Sequence, residues 1–230
     1  MTFSLIGRCE RTGMFGVAIS TSEMAVGSRC IHVAPNVGAI ITQASTNPRL
    51  GFLGLNLLHA GSSAPRVLDA IAASDQFGER RQLGCLDVTG LGAARTGAGN
   101  RPWAGHRVDR NVVVAANAVV GAEVADAMFD AFKRGSDLPL WDRLLRSLEA
   151  GKAAGGQPDG ETSSVLYVVD RDTYPMVDLR VDLHATPVVE LRRLADAYFP
   201  LVSYYLLRQR DPNVPPAAEW LAAQRSREHG

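Results

Sequence analysis

Thr2 directly follows Met1 and carries a hydroxyl on a small side chain. A second residue this small permits removal of the initiator methionine, which would leave a hydroxyl and a free α-amine on one residue. An N-terminal threonine whose own amine takes the proton is one way to activate a weak nucleophile, and the chemistry it serves is acyl transfer. The amine suits that task, because an α-amino group has a pKa of about 7.7–8.0 and is partly neutral near pH 7. The competing reading is that a threonine after Met1 is a common start with no chemical role.

Four other stretches carry groups that can do chemistry. Thr42-Gln43-Ala44-Ser45-Thr46-Asn47-Pro48-Arg49 crowds polar side chains at the end of an apolar strand, just before a helix. Backbone N–H groups there can receive an anion or a carbonyl oxygen. Alternatively, Asn47 caps the helix while Thr42 and Ser45 satisfy nearby backbone, so Thr42, Gln43 and Asn47 are candidates both for binding and for capping. Trp103-Ala104-Gly105-His106 lies in a glycine-dense loop, where His106 can be a general acid or base with Trp103 as a stacking wall. It can equally be a loop histidine bonded to backbone. Asn117, inside an otherwise apolar strand, is either a structural bridge or an oxyanion donor. Asp178, Arg180, Asp182 and His184 alternate with apolar residues and share one strand face. That face is a catalytic relay or a self-neutralising ladder on an edge strand.

The elements that must hold these residues follow from periodicity. Thr2–Gly7 and Met14–Ser20 read as two strands of a hairpin around Gly13. A third strand is expected over Gly38–Ala44, then helices over Arg49–Ala60 and Ala64–Ser74. Gln82–Val88 with Ala93–Thr96 reads as another hairpin, and Asn111–Val120 as a strand covered on both faces. Helices follow over Glu123–Arg134 and Leu140–Ala150, then a glycine-rich loop over 151–160. Strands return over Ser163–Val169 and Met176–Leu183, and a helix over Val188–Tyr198 is interrupted by Pro200. Segregated blocks of strands and helices predict an α+β fold, and strands apolar on both faces predict a four-layer α-β-β-α sandwich. One domain over residues 1–210 is expected, with a proline-bearing tail and short helix over 211–230.

Composition narrows the function. Of 230 residues, 46% are hydrophobic and 21% charged, enough for a sizeable core. Lys+Arg and Asp+Glu both number 24, so bulk charge draws the chain neither to nucleic acid nor to a membrane. No apolar run approaches the roughly 18 residues of a transmembrane helix, and Arg8, Glu10 and Arg11 interrupt any leader-like stretch. Cys9, Cys30 and Cys85 are scattered and odd in number, which points to reduced thiols in the cytoplasm. Histidine spacing gives no metal site, and phosphate-loop, dinucleotide and GxSxG motifs are missing, so neither metal nor cofactor is expected.

Several segments together, MTFSLIGR, FGVAIS, GAIITQASTNPRLG, WAGHRV, AAGGQPDG and VDLRVDLH, resemble a bacterial family of unknown function, domain of unknown function 1028. The resemblance runs from about Thr2 to Leu194, and that family is placed in the N-terminal-nucleophile (Ntn) hydrolase superfamily. It implies the α-β-β-α sandwich and cleavage of an amide bond with Thr2 as nucleophile and base. It also makes Ser20, Thr42 and Asn117 candidate pocket residues. The expected activity is that of a cytoplasmic amidohydrolase acting on a small amide. Two alternatives stand beside it: a non-catalytic binding or scaffold protein on the same fold, and an enzyme using His106 or the Asp182–His184 pair without Thr2. The charged ladder and the apolar, proline-bearing tail point to a homo-oligomer.

Overall fold

The computed structural model describes residues 1–228. The chain opens on the expected hairpin: β1 (Thr2–Arg8) pairs antiparallel with β2 (Phe15–Thr21), Thr2 opposite Thr21 and Arg8 opposite Phe15. Gly13 has φ 79°, a left-handed conformation that any side chain resists, so the turn residue is set by backbone sterics. The chain continues through β3 (Ile31–Ala34), β4 (Gly38–Ala44), α1 (Pro48–His59), α2 (Ala64–Ser74), β5 (Arg81–Asp87) and β6 (Gly92–Thr96). Then come β7 (Ala104–Asp109), β8 (Val112–Asn117), α3 (Ala122–Arg134), α4 (Leu140–Ala153), β9 (Ser163–Val169) and β10 (Val177–Val181). It closes with α5 (Pro187–Tyr198), α6 (Val202–Arg208) and α7 (Ala217–Glu228).

Two antiparallel sheets face each other. One has the order β10-β9-β2-β1-β8-β7, the other β3-β4-β5-β6. α3 and α4 cover the first sheet, and α1 and α2 the second, giving the four-layer α-β-β-α sandwich. Adjacent residues of one strand show why the strands read as apolar throughout. Ile41 packs between the sheets with Ile6, Val17, Ile19 and Val113, while Ile40 packs under the helices with Leu50, Val67 and Ile71. Both faces of β4 are therefore buried, and alternation disappears. α1 approaches β4 through Gly54, where a Cβ would run into the Ile40 side chain.

The elements fall into two compact units, Met1–Leu191 and the segment from Arg192 onward. In the second, Tyr204 is buried, with its ring 5.5 Å from that of Tyr205 and 5.7 Å from that of Trp220.

Some local expectations change. β8 ends at Asn117, because Ala118 turns away with φ 51°, so Asn117 stands at a strand end rather than mid-strand. The stretch holding His106 is not a loop but the edge strand β7, which pairs with β8 alone. Its half-exposed AGHRVD sequence lacks the apolar alternation that marks a strand. β3 is short and was likewise without a pattern. α4 extends to Ala153, into the glycine-rich stretch, and the helix resumes after Pro200 as α6. On β10, Asp178 and Arg180 pair at 2.7 Å as a neutralising contact on the edge strand. His184 lies beyond that strand and its Nδ1 accepts the Thr186 N–H at 3.1 Å.

Inside the apolar layer between the sheets runs one polar chain. Ser4 Oγ donates to Gln43 Oε1 (2.6 Å), and Gln43 Nε2 to Gln82 Oε1 (2.7 Å) and the Ala115 carbonyl (3.2 Å). Gln82 Nε2 reaches Thr96 Oγ1 (2.9 Å) and the carbonyls of Gly105 (3.0 Å) and Ala116 (2.9 Å), and Gln82 Oε1 also accepts from Asn117 Nδ2 (3.0 Å). Replacing Gln82 by leucine removes the acceptor that Gln43 Nε2 and Asn117 Nδ2 share in a dry layer. The expected loss is about 2–4 kcal/mol in chemical denaturation; an unchanged stability would show that the chain is not needed.

His32 is 6% exposed, and its Nδ1 has no partner. Its ring meets Phe52 edge-on at 4.7 Å. Burial lowers its pKa to about 4. The native state thus holds His32 neutral while the unfolded chain protonates it near pH 6.5. Its contribution is complete above that value and is lost as pH falls towards 4. His32→Phe keeps the ring contact without the titration, so its stability should fall less steeply between pH 6.5 and 4. Parallel curves for the two proteins would contradict this.

Candidate functional site

β1 lies between β2 and β8, so the register that sets Thr2 opposite Thr21 also sets it opposite Asn117. Directly opposed residues share a sheet face, and these three point towards the second sheet, on the face carrying Ser4 and Ile6. Thr2 Oγ1 donates to the Met1 carbonyl at 2.6 Å and lies 3.1 Å from Thr21 Oγ1. The Thr21 hydroxyl bonds to the same carbonyl oxygen. Two threonine hydroxyls thus converge on one carbonyl.

Met1 stands where two cavities meet. The first, about 250 Å³, is lined by Ser45, Arg80, Asn100, Arg101 and Asn117 among others. The second, about 440 Å³, is lined by Thr2, Thr21, Arg29, Cys30 and Thr46 among others. Met1, Glu23 and Ala44 border both. Burial, and after it the Arg101 charge, lowers the pKa of the Met1 amine below the ordinary value of 8.0, against an opposing pull from Glu23. An amine in this place is neutral over more of the physiological range.

The backbone around the cavities is strained in two places. Ala44 (φ 68°) and Ala118 (φ 51°) are left-handed without being glycine. Ala44 ends β4, and Ala118 directly follows β8. Ser45 N donates to the Arg80 carbonyl (3.3 Å), and Ala118 N to the Arg101 carbonyl (3.0 Å).

The model of the family of unknown function DUF1028 matches residues 2–191. The chain belongs to that family. Protein SPO2555 from Silicibacter pomeroyi, a solved DUF1028 structure, is 27% identical with a TM-score of 0.80, over 96% of this chain and 93% of that one. Anbu from Hyphomicrobium sp. strain MC1 gives 13% identity and a TM-score of 0.40, over 94% of this chain and 98% of that one. Anbu from Yersinia bercovieri gives 14% and 0.38, over 89% and 97%. None of the curated proteins matches.

Of the residues singled out in this DUF1028 sequence, Thr2 and Asn117 come together, and the others lie elsewhere. Ser20, one residue before Thr21, is opposite Phe3 and so on the other face; its hydroxyl bonds the Ser163 carbonyl (3.0 Å) and Ser164 Oγ (2.7 Å). Thr42 shares the helix-facing side of β4 with Ile40 and bonds the Asn47 carbonyl (3.4 Å). Gln43 is enclosed in the chain between the sheets. Asn47 caps α1 by accepting the Arg49 N–H at 3.2 Å. Trp103 packs against Gly105, and its backbone exchanges hydrogen bonds with Val119. His106 lines a separate groove with Thr96 and Arg107, bordered also by Asn100. Burial and then Arg107 lower its pKa, and its Nδ1 lies 2.9 Å from Thr96 Oγ1.

Sequence reasoning passed over Thr21, Glu23, Arg29, Arg80, Asn100 and Arg101. Thr21 was within reach: pairing Arg8 with Phe15 across the turn fixes Thr2 opposite Thr21, and one residue of slip selects Ser20 instead. The others come from separate loops and carry no common spacing. Among the described residues, no group of three or more His, Cys, Asp or Glu is placed to hold a metal ion.

Proposed function

We propose that this protein hydrolyses a small amide, with Thr2 as an N-terminal nucleophile once Met1 has been removed. The observation that carries the reading is the convergence of the Thr2 and Thr21 hydroxyls on a carbonyl oxygen at the junction of two cavities. The Met1 carbonyl marks a place where a substrate carbonyl can lie once that residue is gone.

In this reading Thr2 Oγ1 attacks the scissile carbonyl carbon, and its proton passes to the Thr2 α-amine. The lowered pKa at the Met1 amine supports a neutral base in these surroundings. The oxyanion is held by the Thr21 hydroxyl and by Asn117, which spends an amide hydrogen on Gln82 and borders the first cavity. Collapse breaks the C–N bond, and the leaving nitrogen takes the proton from the Thr2 ammonium. The acyl group is left as an ester on Thr2. Water, deprotonated by the same amine, attacks the ester and releases the acid. Three buried free thiols, Cys9, Cys30 and Cys85, support a cytoplasmic setting, and the exposed apolar Phe52 and Met24 are in keeping with self-association.

A second reading applies to chains that keep Met1. There the Met1 carbonyl occupies both hydroxyls and Thr2 has no free amine, which favours a binding protein.

Intact mass of untagged protein should be one methionine short, and Thr2→Ala should abolish amide turnover while keeping the melting temperature. Turnover by a Thr2→Ala protein would end the proposal. Thr21→Val should reduce kcat by about 10²–10³ if its hydroxyl serves the oxyanion. The Thr2 amine must be neutral to act as the base, and in the surroundings that lower the pKa of the Met1 amine, kcat/KM should rise with pH and level off once the Thr2 amine is neutral. In Arg101→Gln that rise should move to higher pH; an unmoved profile would show that the Arg101 charge does not act on the base.

A further inference from the structure

The first cavity contains charge that nothing else in the fold uses. Arg80 and Arg101 both border it, and neither is ion-paired among the described residues. The neighbouring carboxylates are committed elsewhere. Glu79 pairs with Arg95 at 2.5 Å and accepts the Ala98 N–H at 2.9 Å, and Asp75 pairs with Arg81 at 2.6 Å. Glu23 is the one carboxylate lining the cavity, and it is exposed on the border with the second cavity. In that second cavity Arg29 is tied through Nη1 to the Met24 and Ala25 carbonyls (2.9 and 3.1 Å).

The backbone at the two unpaired, exposed arginines is held in place. Their carbonyls receive the Ser45 and Ala118 amides, and the loops that carry them are joined by Gly99 N donating to the Glu79 carbonyl at 2.8 Å. Gly97 lies so close to the Glu79 backbone that no side chain fits there. Between them, Asn100 donates through Nδ2 to the carbonyls of Arg81 (2.9 Å) and Gly97 (2.8 Å), which leaves its Oδ1 buried without a partner. Arg80, Arg101 and Asn100 therefore border one small space together with Asn117 and Met1. Guanidinium groups recognise carboxylates through paired N–H donors.

We infer that the first cavity seats a carboxylate between Arg80 and Arg101, and that the substrate is a small anionic amide. This rests on Thr2 being the nucleophile for its link to turnover, but the seat itself does not require Thr2. Two chemical sources fit: an N-acyl amino acid, with the carboxylate on the leaving side, and the monoamide of a small dicarboxylic acid, with it on the acyl side.

The test measures binding to full-length Thr2→Ala protein lacking Met1, checked by mass, using two matched pairs of probes. N-acetylglycine is compared with N-acetylglycinamide, and succinamate with succinamide. At least one anion should bind ten-fold or more tightly than its neutral partner, with an advantage that shrinks as salt is added. Which pair shows it identifies the side carrying the charge. The Arg80→Gln/Arg101→Gln protein should keep its melting temperature and lose the advantage, and the double lysine variant should retain part of it. Equal affinities in both pairs, binding of neither member, or an advantage untouched in the glutamine variant would overturn the inference. Turnover of the same probes by the Thr2 protein is read separately. An anion preference without turnover leaves the seat standing and removes the hydrolase reading.

Discussion

Two sheets packed face to face need only apolar side chains to exclude water, yet here a line of amides crosses the layer. Ser4, Gln43, Gln82 and Asn117 are each at most 2% exposed, and each bonds to the next. A buried amide is costly unless its donors and acceptors are met, and in a layer of low polarity a fully met set is correspondingly strong. Because Gln43 and Gln82 come from β4 and β5, while Ser4 and Asn117 come from β1 and β8, the bonds form in a single relative placement of the sheets. Apolar packing alone tolerates a slide between sheets far better. The rest of the site depends on this constraint, since Asn117 ends the chain of amides and stands beside Thr2.

The cavities open where the strands stop. β4 ends in the left-handed Ala44 and β8 is followed by the left-handed Ala118; the Ser45 and Ala118 amides bond the carbonyls of Arg80 and Arg101. Strain of this kind persists only where surrounding bonds hold it, and it is concentrated beside Thr2. Position and charge are thereby coupled: the turns that end the strands also anchor the loops bearing Arg80 and Arg101. His106 is attached to the same framework through Thr96 and Gln82, although it borders a different groove.

Much of the architecture was legible from residue pattern. The opening hairpin, the apolar β8 and the helices α1 to α4 follow from periodicity and from Gly and Pro punctuation. The strands apolar on both faces already implied a sheet pair covered by helices. β7 was not legible, because an edge strand with one neighbour needs no apolar face and its AGHRVD sequence reads as a loop. Among site residues, Thr2 stood out by its position and Asn117 by its incongruity in an apolar strand. Ser20 illustrates the opposite case. Named only through the family resemblance, it lies one residue from Thr21, and because strand side chains alternate it faces the helices while Thr21 faces the cavity.

The sequence by itself determined the strand and helix order, the double burial of the sheets and the presence of a hydroxyl side chain next to Met1. Each of these is a local property, set by the spacing of apolar residues or by one side chain. Tertiary structure alone decided which polar groups share a space. It assigned Gln43 to the join between the sheets and gave Asn47 to a helix cap. It brought Glu23, Arg80 and the adjacent pair Asn100 and Arg101 together with Met1 around one cavity. Loop residues that meet only after two sheets have packed leave no period in the chain, because their proximity is created by strand pairing across the whole domain.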